Sequence, residues 1–225
     1  MIFKMLVIEA DSKNELNNKC VPIRWKTHHI VEMFMEFLPN VVLDGSSKLT
    51  IYAMEKPEKE EKYTYSSYFH VSAYYLERDI IDKLKFLEEE SGDECILHII
   101  VDTLIDIVNR HNGDEAIIRI INETAMKVRV NNFKLKKMIP KLSKKSDCGQ
   151  FKASVYRCLC RDLGESWCVE IKSKIHDELY IEWLTKKPSY LDRRDMFMKV
   201  RWEDGKLIFS NKINKTIASI SPKFC

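Results

Sequence analysis

FKASVYRCLCR (Phe151 to Arg161), DLGES (Asp162 to Ser166) and WCVEIKSKI (Trp167 to Ile175) run consecutively, and their reading decides the fold. In the first block Phe151, Ala153, Val155 and Leu159 share one side; in the last, Trp167, Val169 and Ile171 do. A side-chain period of two marks a strand with one buried face. The Asp-Leu-Gly-Glu-Ser block between them is turn chemistry. The two strands therefore pair antiparallel. A five-residue turn sets Arg161 against Trp167 and Cys160 against Cys168. Leu179, Ile181 and Trp183 alternate again. Met196 to Trp202 and Leu207 to Ser210 flank Glu203-Asp204-Gly205-Lys206. Asp-Gly suits a type I′ turn, which needs positive φ at both central residues. That register sets Glu203 opposite Lys206 and Trp202 opposite Leu207. Alternation also runs through Lys127 to Leu135. The C-terminal half thus reads as an antiparallel β-meander, with Trp167 and Trp202 buried.

Upstream the pattern is mixed. Met1 to Ala10 contains a short apolar run that reads as a buried strand. Thr27 precedes a helix with Ile30, Val31, Phe34 and Leu38 on one face, stopped by Pro39. Leu49 to Glu55 reads as a strand and Lys56 to Lys62 as an exposed charged loop. Tyr63 to Tyr75 reads as one long strand, forming a wide hairpin with the Leu49 segment. Glu77 to Glu90 and Glu94 to Asn112 carry helical apolar stripes, broken at Ser91-Gly92-Asp93. Gly113 suits a helix C-terminus. Asp114 to about Asn122 starts a shorter third helix. The fold class is α+β: a mixed helix/strand N-terminal half followed by an antiparallel β-meander C-terminal half.

The charges follow the same division. Residues 1–123 hold 14 Lys+Arg against 23 Asp+Glu; residues 124–225 hold 23 against 11. A net charge of +3 therefore hides an acidic α/β subdomain, 1–123, and a basic antiparallel β subdomain, 124–225. Alternatively the chain is one continuous domain. Ser143 to Asp147 reads as a hinge or long loop. No secretory leader and no apolar run long enough for a membrane span is visible, so the expected location is cytoplasmic. Seven Cys without regular spacing read as reduced thiols.

No motif announces an active site. Cys95, His98 and Asp102 sit on one helix face, the parts of a nucleophilic set. Side chains in a row on one helix point in parallel, however, whereas such sets converge from separate elements. Cys158, Cys160 and Cys168 share one sheet face, with Cys148 or His176 as a fourth thiol or imidazole. A flat face suits tetrahedral zinc poorly. His28-His29 lacks the spacing of zinc hydrolases, and no glycine-rich phosphate loop or nucleophile elbow is present. The expectation is no enzyme, no catalytic residue, no metal and no cofactor.

Two basic clusters remain: Lys134 to Lys145, and Lys186, Lys187, Arg193 and Arg194 around Tyr190. Interleaved with aromatics, such clusters bind phosphates and stack bases. Glu88, Glu89 and Glu90 form the acidic counterpart at the helix junction. LSKKSDCGQFKASVY (Leu142 to Tyr156), KPSYLDRRD (Lys187 to Asp195) and VRWEDGKLIF (Val200 to Phe209) resemble the opening and closing elements of small bacterial meander domains. Such domains are common among immunity proteins of bacterial polymorphic and contact-dependent toxin systems. That resemblance implies a cytoplasmic, non-enzymatic protein that neutralises one cognate toxin domain by direct binding. The partner-binding residues expected are Lys186, Lys187, Tyr190, Arg193, Arg194, Glu88, Glu89 and Glu90. The alternative is a nucleic-acid-associated accessory protein using the basic C-terminal half.

Overall fold

The computed structural model describes residues 1–10, 22–85, 91–175, 178–190 and 196–222. The fold is α+β, with the helices in the N-terminal part and antiparallel sheets in the C-terminal part. The chain divides into two compact units, Met1–Lys134 and Leu135–Cys225. The charge switch at 123/124 therefore does not mark the structural division. It falls within a helix, and recounting by unit gives 17 basic against 23 acidic residues, then 20 against 11.

In the first unit, β1 (Met5–Ala10) pairs in parallel with β2 (Lys48–Ala53), and β2 pairs in parallel with β4 (Val71–Tyr75). The edge strand β3 (Tyr63–Ser66) pairs antiparallel with β4. The expected single strand from Tyr63 to Tyr75 is thus a tight hairpin, turned at residues 67–70 with His70 at φ 51. β2 has no hairpin partner in β3; it lies in the middle of the sheet. Leu49, Ile51 and Ala53 alternate inward along it.

Helix α1 (Ile23–Phe37) packs on β1. It begins one turn before Thr27, directly after Pro22. Thr27 donates its hydroxyl to the Ile23 carbonyl at 3.0 Å inside the helix. Helix α2 (Arg78–Lys85) is followed by α3 (Ser91–His111) and α4 (Glu115–Val130). Helices α1, α3 and α4 pack on one another. They enclose Ile30, Phe34, Leu97, Ile100, Leu104, Ile121 and Val128, each 0% exposed. Helix α4 overrides the strand expectation at Lys127 to Val130. Its buried side, Ile121, Thr124, Ala125 and Val128, has helical spacing, and positive φ at Asn132 and Phe133 ends it.

The second unit is built on β7 (Phe151–Cys160) and β8 (Gly164–Ser173), the longest strand pair. β5 (Leu135–Met138) and β6 (Lys144–Lys145) pair with β7; β9 (Leu179–Trp183) and β10 (Ser189–Tyr190) pair with β8. The expected hinge at Ser143 to Asp147 is in part this β6 strand. A second sheet, β11 (Lys199–Glu203), β12 (Lys206–Ser210) and β13 (Thr216–Ile220), is antiparallel throughout. The 203–206 hairpin has the register read from Asp-Gly, with φ 50 at Asp204 and 73 at Gly205.

The β7–β8 register differs from the expected one. β8 starts at Gly164, whose φ of 59 lets a short turn close at once, so Cys160 faces Gly164 and Arg157 faces Trp167. The partner changes by four residues, an even number, so every side chain keeps its face. Ala153, Val155, Trp167, Val169 and Ile171 form one core with Leu207, Phe209 and Ile220 of the second sheet and Phe197. Trp167 is buried. Trp202 is half-buried at the edge of that core, stacked on Phe151 at 6.0 Å between ring centroids.

Candidate macromolecule-binding face

The second sheet covers one face of β7–β8, and the other face carries the opposite phase of every strand. In a sheet, directly paired residues project on the same side. One row across the outer face runs Met138, Tyr156, Cys168, Trp183. Adjacent rows are Ser154, Glu170, Ile181 and Lys152, Lys172, Leu179. Flanking the first row on its other side, on the same outer face, Lys136 lies beside Cys158.

The apolar members of this face are exposed: Leu179 55%, Ile181 51% and Met138 44%. The reason lies in β9. Its alternate residue Tyr180 packs against the core, and Glu182 sits opposite Val169 on the same inner phase. Leu179, Ile181 and Trp183 are thereby turned outward. The alternation was visible in the sequence, but a strand of Leu-Tyr-Ile-Glu-Trp has a large side chain on both phases, so period alone did not give its direction.

Each aromatic ring on the face lies under an ammonium. Lys136 Nζ is 4.6 Å from the centroid of Tyr156, and Lys187 Nζ is 3.9 Å from that of Trp183. Lys136 also donates to Glu170 Oε1. That hydrogen bond holds the Lys136 ammonium protonated above its ordinary pKa, against a smaller opposing effect of burial. Tyr156 is pushed up, first by burial and then by the Glu170 charge. Lys136, Lys152, Lys172 and Lys187 face Glu170 as the acidic group, so the surface is apolar, aromatic and net positive. Such a surface can hold a partner that brings both apolar area and negative charge.

Of the residues expected to bind, Lys186 and Lys187 are exposed, and Lys187 belongs to this face through Trp183. Tyr190 forms β10, pairing in parallel opposite Glu165. Arg193, Arg194, Glu88, Glu89 and Glu90 lie outside the described residues, as does His176. Lys136, from the basic cluster read between Lys134 and Lys145, also belongs to this face; the residues that sequence reasoning missed are Met138, Tyr156, Leu179, Ile181 and Trp183.

The helix constellation does not converge. His98 Nε2 meets Glu94 Oε1 at 3.1 Å on the exposed side of α3, and Glu94 is also clasped by Arg129 at 2.6 to 3.2 Å. Cys95 is pushed up by burial, the wrong direction for a ready nucleophile. Asp102 instead borders a cleft of about 290 Å³ with Lys62, Tyr74, Glu77 and Asp106. There Tyr74 donates to Asp106 Oδ2 at 2.7 Å, Arg110 Nε to the same oxygen at 3.0 Å, and Lys62 pairs with Glu77 at 2.9 Å. Its charges are largely satisfied by one another.

Nearby, Asp44 accepts from the Ser46 N–H at 2.8 Å and from the hydroxyls of Ser46, Ser72 and Tyr63. The single phenolic proton of Tyr63 goes to Asp44, so at 2.9 Å it is His111 Nε2–H that donates to the Tyr63 oxygen. Among the described residues, no group of three or more His, Cys, Asp and Glu is placed to hold a metal ion, and no helix is long and apolar enough to cross a membrane. Compared with protein-family models, with curated proteins and with solved structures, the chain matches none of them.

Proposed function

We propose that this is a non-enzymatic binding protein that neutralises a cognate toxin domain, in the manner of a bacterial immunity protein, through the outer face of β5, β7, β8 and β9. The observation that carries the reading is the combination of half-exposed Leu179 and Ile181 with lysine-capped Tyr156 and Trp183 on one rigid sheet. Contiguous exposed apolar surface marks interaction sites, and aromatic anchors dominate binding energy at their centres. The lysines around them speed encounter with an acidic partner, which matters when inhibition competes with killing.

The test is nuclease-treated affinity capture from source cells with wild-type protein and with Ile181→Glu, followed by mass spectrometry. A protein retained in stoichiometric amount by wild type and lost with the variant, and whose toxicity on expression is relieved by co-expressing the wild-type chain, supports the reading. Proteins that are retained only when the nuclease is omitted, with none retained after treatment, sink it.

A second reading has its own observation. Two rings on one open face, each with a lysine above it, also suit single-stranded nucleic acid, because bases stack on rings while ammonium groups meet phosphates. It requires binding to an unstructured oligonucleotide that falls steeply with salt, with a log–log slope of about −0.7 per phosphate neutralised.

A further inference from the structure

Three thiols lie on the outer face of β7 and β8, and the proposed binding does not use them. Cys158 and Cys168 are 6% and 3% exposed. They are not directly opposed: Cys158 faces Ser166, and Cys168 faces Tyr156. They are diagonal neighbours, with Sγ atoms 3.9 Å apart. Cys160 sits at the hairpin end opposite Gly164. Two residues along an extended strand from Cys158, its Cα is about 6.6 Å away, so Cys168 is the near neighbour of Cys158.

We infer that Cys158 and Cys168 form a peroxide-oxidised thiol pair that closes a disulfide across β7 and β8. Burial selects the oxidant. A pair this enclosed admits hydrogen peroxide and excludes a bulky disulfide such as oxidised glutathione.

The two sulfurs have different roles. Cys168 is held below the ordinary thiol pKa, first by the hydrogen bond from Cys158 and then by the Lys136 and Lys187 cations, against burial. Cys158 is pushed up, first by that same hydrogen bond and then by burial. Cys168 is therefore the thiol that ionises more readily, and Cys158 the one that holds its proton. The Cys168 thiolate attacks one peroxide oxygen; the O–O bond breaks, hydroxide leaves, and Cys168 becomes a sulfenic acid. Cys158, giving up its proton, attacks that sulfur, and water leaves as the S–S bond forms. In sum two thiols and one hydrogen peroxide give one disulfide and two waters. Closure brings the sulfurs from 3.9 Å to about 2.05 Å by side-chain rotation and a small shear of the two strands. The inference is independent of which partner the face takes.

The experiment treats the reduced full-length protein with hydrogen peroxide, quenches with catalase, alkylates under denaturing conditions and maps the thiols by mass spectrometry. The expected result is a linked Cys158–Cys168 peptide pair, two hydrogens lighter than the sum of the reduced peptides and restored by dithiothreitol. In Cys158→Ser, dimedone captures a sulfenic acid at Cys168; in Cys168→Ser, Cys158 stays fully alkylatable. Wild-type protein in which exposed Cys148 oxidises while both buried thiols remain alkylatable overturns the inference, as does linkage of Cys158 to Cys160. The wild-type map decides even if a variant fails to fold.

Discussion

Glu165 is 1% exposed, and its carboxylate meets Arg157 Nε at 2.8 Å and Nη2 at 2.7 Å and accepts from Trp167 Nε1 at 3.1 Å. This forked ion pair lies on the core face of β7–β8, where the sequence pattern shows only apolar neighbours. Removing one partner strands a buried charge. Glu165→Ala is expected to lower stability by about 3–5 kcal/mol, whereas Arg157→Met with Glu165→Leu costs much less. Urea unfolding of the three proteins checks both parts. Asp44 gives a pH signature. Burial pushes its carboxyl up, but hydrogen bonds from Ser46, Ser72 and Tyr63 outweigh it and leave the pKa below 3.8. The unfolded chain thus takes up this proton at higher pH than the fold does. The contribution is complete above the unfolded value and is lost as pH falls through the lowered folded one. Asp44→Asn is expected to be less stable than wild type at pH 7, with the gap closing between about pH 5 and pH 2. Denaturant melts across that range read it directly.

Helix α4 begins where Asp114 Oδ1 accepts from the N–H groups of Ala116 at 2.9 Å and Ile117 at 3.3 Å. Asp114→Ala removes that cap and is expected to cost about 1 kcal/mol, measured by thermal melting followed by circular dichroism. At the β11–β12 turn, Gly205 has φ 73, and a Cβ added there meets nothing within 4 Å. Its requirement is conformational rather than steric. Gly205→Ala is expected to cost about 1–2 kcal/mol without disturbing the core, and Gly205→Asn less. The elements also show how far local pattern reaches. The Asp-Gly hairpin was legible because a two-residue turn fixes its own register. The Asp162 to Ser166 turn was not, because several loop lengths fit that composition, and Gly164 closes the shortest of them. The alternation of Lys127 to Val130 pointed to a strand, yet four residues of Lys-Val-Arg-Val are too few to resist a helix already nucleated at Asp114.

For the whole molecule, the division between Lys134 and Leu135 predicts that residues 1–134 and 135–225, expressed separately, each unfold in one cooperative thermal transition. A broad, sloping melt for either fragment would contradict it. The candidate face lies wholly within the second unit, so the 135–225 fragment is expected to retain the partner captured by the full chain and to lose it on Ile181→Glu. Basic character was legible in composition, and Lys136 and Lys187 fell within the basic clusters named from sequence. The rest of the face was not, since it assembles Met138, Tyr156, Glu170 and Trp183 from four strands brought together only by pairing.

The sequence by itself determined the α+β order of elements, the buried phase of β7 and β8 and the 203–206 hairpin. Each follows from side-chain period or turn stereochemistry acting over a few residues. Tertiary structure alone decided the register of β7 on β8, the outward turn of β9, the buried Arg157–Glu165 pair and the meeting of Cys158 with Cys168. These depend on which strand lies beside which and on what covers each face, and local periodicity carries no record of either.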